Sequence, residues 1–440
     1  MADASRTFER PRVALVAQGC RVNRSDLDAL ACGLSGSFVL AANGEVAEYV
    51  VVNTCTVTAD ADAAARQAIR RAAREHPGAR IVVMGCYAEV RPEELQSLPG
   101  VAAVVGARSR VSVTEVLRRL HEDRAFRPEQ GEGWPGDGWR ASTLPRPFRH
   151  TRAFLKVQDG CDARCAYCVV PLARGPARSL GFEEALAAIE ALGSASPEVV
   201  LTGVHLGAYG RDLSPRRSLA QLVTASGERR LARRIRLSSV EPLELPLGLF
   251  QGPARPVLCE HVHLPLQSGS PRMLAAMRRP YSPGAYAARV ERLAAEVPEI
   301  CIGADVMTGF PGETADDHRA TVALVESLPL SYLHVFPFSP RPATRAATMP
   351  GQVGAGLARE RARELSALSA RRWRAFAAAQ RGRELEVAVE RVGDGFAAGT
   401  ARNYLSVRWP CAGERRGELV RVRVEASDGE KCVGRRVERG

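Results

Sequence analysis

The first part of the chain alternates between short, largely apolar runs and amphipathic segments. The apolar runs lie at 13–17, 49–53, 80–84 and 101–105, and a helical pattern covers 61–75. Continuous apolar runs separated by helices are typical of strands that are buried on both faces of a parallel sheet. The pattern therefore predicts an α/β fold that begins with an N-terminal domain, residues 1–121, built as an open parallel sheet.

Strand and helix patterns then repeat across residues 149–349, which we assign to a second domain. Strand patterns lie at 154–157, 199–202, 234–238, 261–264, 300–306 and 332–336, and helical patterns lie at 182–192, near 219, at 270–277 and at 314–328. Repeated strand-helix units of this kind predict a full or partial (β/α) barrel. Such barrels place their chemistry at the carboxyl ends of the strands.

The composition changes on both sides of this domain. Residues 122–148 are rich in Gly and Pro and predict a linker or loop, in which Trp134 and Trp139 either pack the loop down or stack on a nucleobase. Residues 350–380 predict a connecting helix. Residues 381–440 alternate apolar and polar positions between turn signals, which predicts a small β-barrel domain.

The bulk composition narrows the class of protein. The chain has 440 residues with 45% hydrophobic and 25% charged residues, as in ordinary globular proteins. It lacks an apolar run of about 18 residues and an N-terminal signal pattern, so we expect no membrane span and a cytoplasmic location. The net charge of +12 is carried almost wholly by Arg. Genome composition can explain the choice of Arg over Lys, but the excess of positive charge favours a polyanionic partner such as RNA.

Three of the cysteines stand close together after a predicted strand. Cys161, Cys165 and Cys168 have the spacing C-x3-C-x2-C. In a chain without a secretion signal, such cysteines favour a metal site over disulfides. Three thiolates can hold three irons of a 4Fe-4S cluster and leave the fourth iron open for a small ligand. The alternative is a zinc knuckle, which requires a fourth Cys or His, and the next such residue is His205.

A second set of cysteines follows the first three predicted strands. Cys20, Cys55 and Cys86 each come directly after an apolar run, and Gly19 and Gly85 precede two of them. The carboxyl ends of parallel strands converge, and glycine lets the backbone approach a bulky group closely. We expect a second cluster with one open iron; the alternative is three small buried packing residues. The remaining cysteines are expected to be structural: Cys32, Cys259, Cys301, Cys411 and Cys432.

These motifs resemble known families. The C-x3-C-x2-C spacing is similar to that of the radical S-adenosylmethionine (SAM) superfamily, and the segments Gly-Cys-Arg-Val-Asn, Asn-Thr-Cys-Thr-Val-Thr and Gly-Cys-Tyr-Ala around the first three cysteines resemble the motifs of the methylthiotransferase family. The resemblance covers nearly the whole chain. The segment 403–409, with aromatic residues among Arg, resembles the TRAM domain, a small barrel that binds RNA through Arg and aromatic side chains.

The resemblance implies two 4Fe-4S clusters and SAM as cofactors. The cluster at Cys161, Cys165 and Cys168 would reduce SAM to a 5′-deoxyadenosyl radical, and the second cluster would hold or donate sulfur while another SAM supplies the methyl group. The resemblance also implies that residues at the strand ends contact the cofactor; otherwise they cap helices or close turns. These candidates are Gly203, Ser238, Glu241, Gln267 and Asp305.

The motifs look most like the bacterial branch that acts on threonylcarbamoyladenosine. The resemblance thus implies a transferase that methylthiolates carbon-2 of N6-threonylcarbamoyladenosine at position 37 in the tRNA anticodon loop, with a reductant such as flavodoxin or ferredoxin. Other branches act on isopentenyladenosine in tRNA or on an aspartate of a ribosomal protein. A zinc-stabilised RNA-binding protein without catalysis is the alternative from a different class; it leaves a whole barrel unexplained.

Overall fold

A computed structural model describes residues 10–42, 44–109, 111–123, 125–126 and 151–437. The described residues form two compact units. One contains the residues through 126 together with Val169–Gly175, and the other contains residues 151–168 and 176–437. The predicted linker at 122–148 lies almost wholly outside the described residues, as do Trp134 and Trp139. The domain boundaries drawn from the sequence stay predictions.

The first unit is built on a five-stranded parallel sheet with the order β2-β1-β3-β4-β5. Its strands are β1 (Arg12–Ala17), β2 (Val39–Leu40), β3 (Tyr49–Thr54), β4 (Arg80–Gly85) and β5 (Val101–Gly106). Its helices are α1 (Arg21–Leu34), α2 (Ala59–Glu75), α3 (Cys86–Val90), α4 (Pro92–Gln96), α5 (Val113–Glu122) and α6 (Val170–Arg174). Val51 and Val82 are fully buried in the centre of the sheet, which explains the apolar runs. The predicted open parallel sheet is confirmed.

The second unit begins with strand-helix repeats. Its strands are β6 (Ala153–Asp159), β7 (Arg178–Ser179), β8 (Val199–Gly203), β9 (Ile235–Leu237), β10 (His261–His263), β11 (Cys301–Thr308) and β12 (Tyr332–Pro337). Its helices are α7 (Phe182–Ala195), α8 (Leu219–Glu228), α9 (Pro271–Ala276), α10 (Pro283–Glu296) and α11 (Ala315–Ser327). The parallel strands run in the order β6-β8-β9-β10-β11-β12, and an isolated bridge between Ser239 and His263 links the sheet that ends in β9 to the sheet that begins with β10. The predicted barrel is therefore a partial barrel.

The chain ends in a closed five-stranded β-barrel. Helix α12 (Ala355–Ala378) is the predicted connecting helix and leads to β13 (Glu384–Gly393), β14 (Phe396–Ala401), β15 (Ser406–Pro410), β16 (Leu419–Ser427) and β17 (Cys432–Arg436). The barrel order is β13-β14-β15-β17-β16. Trp409 is fully buried in the barrel core. It is therefore unable to contact RNA, contrary to the expectation drawn from the segment 403–409. The β-barrel itself is confirmed.

A buried charge cluster joins the partial barrel to the β-barrel. The Glu198 carboxylate lies 2.7 Å from the Arg234 guanidinium and 2.6 Å from that of Arg236, and all three side chains are fully buried. Arg236 also donates to the carbonyls of Ala401 and Arg402 in the β-barrel domain. A buried carboxylate is tolerated only when it is paired and hydrogen-bonded, as Glu198 is.

The helices within the described ranges include none that combines the length and the apolar character needed to cross a membrane.

Candidate functional site

The cysteines of the first unit come together at the carboxyl edge of its sheet. Cys20 precedes α1, Cys55 follows β3, and Cys86 is the first residue of α3 directly after β4. All are free thiols, and Cys55 and Cys86 are buried. Burial, and then the nearby Cys86 and Cys20 thiols, raise the pKa of Cys55 to about 12. These thiols therefore share one pocket, in which a cation would offset the mutual repulsion of the thiolates.

Two buried asparagines fix the loops that carry these thiols. The Asn23 Nδ2 group donates to Asn53 Oδ1 at 3.0 Å and to the Thr54 carbonyl at 3.0 Å. Asn53 Nδ2 donates in return to the Asn23 carbonyl at 2.9 Å. The Cys20 thiol lies 3.3 Å from Asn23 Oδ1. The amide pair thus ties the first turn of α1, next to Cys20, to the end of β3, next to Cys55.

Glycine is required at two of the turns beside the thiols. Gly19 and Gly85 have φ angles of +102° and +101°. A Cβ atom on Gly19 would lie 2.4 Å from the Cys55 Cβ, and one on Gly85 would lie 2.3 Å from the Asn53 Oδ1. The glycines therefore make room for Cys55 and Asn53, the side chains that build the pocket.

A buried arginine completes the first cysteine site, and no sequence motif had indicated it. The Arg174 side chain is 3% exposed, and its Nε lies 3.2 Å from the Cys86 sulfur. Its terminal nitrogen donates to Asn23 Oδ1 at 3.3 Å and to Asp26 Oδ2 at 2.9 Å. Arg174 ends α6, which belongs to the first unit although it follows Cys168 in the chain. Its role depends on tertiary contacts that neither periodicity nor motif spacing reveals.

The other cysteine set lies in the loop after β6, in the second unit. Cys161, Cys165 and Cys168 are half-buried free thiols. The backbone of this loop is fixed at Ala166, which donates to the Met277 carbonyl at 3.0 Å and accepts from the Ala346 amide at 2.8 Å. The loop is therefore anchored at its centre, while its cysteines remain partly accessible.

Two basic side chains face the sulfurs of this loop. The His205 Nδ1 lies 3.6 Å from the Cys161 sulfur, and its Nε2 lies 2.8 Å from Glu244. Burial lowers the pKa of His205, but the contacts with Cys161 and Glu244 outweigh it and raise the pKa to about 10. Arg279 lies 3.4 Å from the Cys165 sulfur. Hydrogen bonds and charges at cysteine sulfurs tune an iron-sulfur cluster, so these groups fit such a site.

Three of the candidate cofactor contacts line strand ends of the partial barrel. Gly203 ends β8, where a Cβ atom would lie 2.9 Å from the Gln158 Cβ. Ser238 and Gln267 are buried, and their Oγ and Oε1 atoms have no hydrogen-bond partner within the described residues. Gln267 also has a φ of +69°. Buried polar atoms left without partners and a strained residue are features of ligand sites.

The two carboxylate candidates are already paired. Glu241 forms an ion pair with Arg279, the residue that reaches Cys165. The Asp305 carboxylate lies 2.9 Å from the His263 Nε2. Glu241 is thus linked to the cysteine loop through Arg279. Asp305 lies on β11 and is paired with a histidine of β10 instead.

The cysteines expected to be structural are free thiols in other environments. Cys259, Cys301 and Cys432 are fully buried, and Cys32 and Cys411 are half-buried. Burial raises the pKa of Cys301 to about 12, which keeps it a protonated, packing side chain.

The residues present fit the cofactors that the sequence implies. Each cysteine set offers three thiols, which can hold three irons of a cubane and leave one iron open. The unpartnered polar atoms of Ser238 and Gln267 lie at the carboxyl ends of the barrel strands, where a ligand with polar groups would satisfy them.

Comparisons with known proteins match both parts of the chain. Residues 12–106 match the family described as "Uncharacterized protein family UPF0004", and residues 155–325 match the Radical SAM superfamily. Among solved structures, a radical SAM methyltransferase, TsrM from Kitasatospora setae, aligns with a TM-score of 0.57 over 77% of each chain at 18% identity, which indicates a shared fold.

Curated relatives match along nearly the whole chain. A Bacillus subtilis protein named threonylcarbamoyladenosine tRNA methylthiotransferase MtaB is 33% identical over 94% of this chain and 93% of its own length. An Aquifex aeolicus protein of the same name is 35% identical over 86% and 92%. A Cereibacter sphaeroides protein named tRNA-2-methylthio-N(6)-dimethylallyladenosine synthase is 34% identical over 98% and 99%. The chain therefore belongs to the radical SAM methylthiotransferase family, whose members carry two 4Fe-4S clusters and use SAM.

Proposed function

We propose that this protein methylthiolates carbon-2 of N6-threonylcarbamoyladenosine at position 37 of tRNA. The observation that carries the proposal is the match, over 94% of the chain, to a relative named for this reaction, together with the separate cysteine sets of the two units. The family membership favours an enzyme over the alternative of a zinc-stabilised RNA-binding protein.

The reaction requires two activities because carbon-2 of adenine carries an unactivated hydrogen. Acid-base side chains are unable to remove such a hydrogen near neutral pH. When bound, the cluster at Cys161, Cys165 and Cys168 together with SAM supplies the radical chemistry that breaks the C–H bond. Cys20, Cys55 and Cys86 would hold the second cluster, through which sulfur reaches the substrate.

The residues around the cysteine loop orient the cofactor and tune its site. Arg279 and His205 face the sulfurs of Cys165 and Cys161, so they would favour the extra negative charge of a reduced cluster. Glu241 holds Arg279 in this position. We assign the polar contacts to SAM to the strand-end residues: Gly203, Ser238, Glu241, Gln267 and Asp305.

The C-terminal β-barrel would bind tRNA with a different aromatic from those expected. Trp409 lies in the core and Tyr404 stacks on His261, whereas Phe396 is 40% exposed. The Arg408 guanidinium lies 3.8 Å from the centre of the Phe396 ring. An exposed arginine-aromatic pair on a chain of net charge +12 is a suitable platform for a base and its phosphate. The electron donor would be a small reductant such as flavodoxin or ferredoxin.

Mass spectrometry of tRNA nucleosides tests this assignment. We expect a strain without the gene to accumulate threonylcarbamoyladenosine and to lose its 2-methylthio derivative, and the intact gene to restore it. A gene with Cys161→Ala should fail to restore it, because the cluster lacks a ligand. Retention of the methylthio derivative in the deletion strain would show the assignment to be wrong.

A second candidate substrate is N6-dimethylallyladenosine, also in tRNA. Relatives named for that synthase are 32–34% identical to this chain, which is close to the values for the threonylcarbamoyladenosine relatives. Anaerobic assays with two tRNAs that differ only in the group on N6 separate the candidates. Preference for the dimethylallyl tRNA would transfer the assignment to the second substrate.

A further inference from the structure

We infer that His263, Asp305 and His334 form a binding site for a divalent transition-metal ion, separate from both cysteine sets. One ligand atom from each residue lies within 4.8 Å of the other two. The three residues lie on β10, β11 and β12, which are neighbours in one parallel sheet. Ligands on adjacent strands are held more rigidly than ligands on loops.

The strand register places these side chains on one face. His263 pairs with Gly303, and Asp305, two residues further along β11, pairs with His334. Because side chains alternate along a strand, positions 303 and 305 share a face, and so do their partners across the sheet. Two imidazoles and a carboxylate on one face form the donor set typical of zinc or iron(II) sites that keep open positions.

Two of the ligand-atom spacings are within about 0.1 Å of those expected around a shared ion. Asp305 Oδ1 lies 2.9 Å from His263 Nε2 and 3.5 Å from His334 Nδ1. Ligand atoms about 2.1 Å from one metal ion lie roughly 3.0–3.4 Å apart for tetrahedral or octahedral angles. His263 Nε2 is buried and, despite its short distance to Asp305, has no aligned hydrogen bond within the described residues.

A second layer of contacts orients the buried imidazole. The other ring nitrogen of His263, Nδ1, lies 3.2 Å from the Tyr332 hydroxyl, which also lies 2.9 Å from His261 Nε2. Metal-binding histidines commonly use their second nitrogen in such a hydrogen bond, which fixes the ring and the tautomer. The Tyr332 contact therefore directs Nε2 of His263 toward Asp305.

Gly303 makes this second layer possible. A Cβ atom at this position would lie 2.5 Å from the Tyr332 hydroxyl and 2.7 Å from His263 Nδ1. Any larger residue would separate the two groups. Gly303 lies in the middle of β11 and not in a turn. Its role is to leave room for the contact between Tyr332 and His263.

The site is accessible from one side. His263 is 3% exposed, whereas the His334 side chain is 59% and that of Asp305 is 23% exposed. A metal ion held by three protein atoms would keep its remaining positions toward this open side, where water or an oxygen of a substrate could bind. Asp305 Oδ2 would remain available for the proposed contact with SAM.

Manganese binding tests the inference without any turnover. Mn²⁺ prefers nitrogen and oxygen ligands to thiolates, and free Mn²⁺ gives a strong electron paramagnetic resonance (EPR) signal that is lost on binding. We expect RNA-free protein with both clusters loaded and oxidised to bind one Mn²⁺ per chain. His334→Ala and Asp305→Asn should weaken binding at least tenfold, and Tyr332→Phe about tenfold through the second layer.

Asp316→Asn is the matched control, because this carboxylate is highly exposed and pairs with Arg319 in the same helix. It should bind Mn²⁺ as the unchanged protein does. Equal affinity in His334→Ala and the unchanged protein, or binding that Asp316→Asn weakens as much, would overturn the inference. His334 is largely exposed, so its loss should leave the fold intact. The titration does not depend on the tRNA substrate, so an error in that assignment would leave the result unaffected.

Discussion

The two cysteine sites are supported in different ways. The thiols at the edge of the parallel sheet are fixed by neutral amides and by glycines, with Asn23 and Asn53 at the centre. The thiols in the loop after β6 are surrounded instead by charged pairs, in which Arg279 and His205 each contact a sulfur and a carboxylate. The first site is therefore shaped by packing and hydrogen bonds, and the second by electrostatics.

The difference suggests a division of labour. A cluster that exchanges electrons benefits from nearby positive charges, which stabilise its reduced form. A cluster that handles sulfur benefits from a rigid pocket with one open iron. Arg174 is an exception within the first site, because it brings a buried ion pair with Asp26 close to the Cys86 sulfur.

Removal of single thiols is the test with the largest expected effect. Cys161→Ala and Cys55→Ala should each abolish the methylthio product, because each cluster loses one of three ligands. Each should also lower the iron content from about eight to about four per chain. Iron analysis and nucleoside mass spectrometry measure the two effects.

Cys411→Ala is the matched control, since this half-buried thiol lies outside both sets. It should leave iron content and product unchanged. If Cys55→Ala retained all its iron, the thiols of the first unit would be packing residues, and the comparison of two cluster sites would fail.

Low pH should weaken the scaffold of the second unit, which carries the cysteine loop after β6. Burial alone would raise the pKa of Glu198, but Arg236 and Arg234 outweigh it and hold the pKa well below its usual range. Its contribution to stability is thus present above the unfolded pKa of about 4.3 and is lost as the pH falls further. Glu198→Gln should lower the free energy of unfolding of the second unit by about 3–5 kcal/mol near pH 7.

The effect of Glu198→Gln should shrink as the pH is lowered below about 4. Hydrogen exchange of the backbone amides in β8 and β9 measures this loss of stability. Glu183→Gln is the control, because Glu183 is 73% exposed and pairs with Arg229 at the surface. Equal protection from hydrogen exchange in the two variants would mean that the buried charges do not stabilise the partial barrel that carries the cysteine loop.

The sequence predicted the scaffolds better than their polar supports. Apolar runs located β1, β3, β4 and β5 to within one residue at each end, because strands buried on both faces leave a local signal. The motifs also predict two sets of three thiols, and the assignment of these thiols as cluster ligands stays a prediction. Arg174, Arg279 and Glu198 left no such signal, because their partners lie far away in the chain. The two-residue strand β2 was missed because it is too short for a pattern.

The glycines at the first site offer a smaller effect that tests its rigidity. Gly85→Ala combines a φ of +101° with a clash against Asn53 Oδ1, so it should destabilise β3 and β4 by about 3 kcal/mol. Gly78→Ala is the matched control, since Gly78 has a φ of +79° but has open space around it, and it should cost about 1 kcal/mol. Hydrogen exchange of the two strands would report both values. Equal costs would mean that the pocket yields readily and is not shaped by packing.

The smallest effect concerns Arg174, the buried cation beside the Cys86 sulfur. Arg174→Gln removes the positive charge beside the Cys86 sulfur, and Gln is shorter and neutral. The cluster of the first unit should then be harder to reduce by about 60 mV, which corresponds to about 1.4 kcal/mol for one electron. A protein with Cys161→Ala, Cys165→Ala and Cys168→Ala isolates this cluster, and a redox titration followed by EPR measures its potential. Arg66→Gln serves as the control, because Arg66 contacts the Tyr87 hydroxyl rather than a thiol. If both substitutions shift the potential equally, Arg174 acts through general charge, and the first site differs from the second only in the number of its cations.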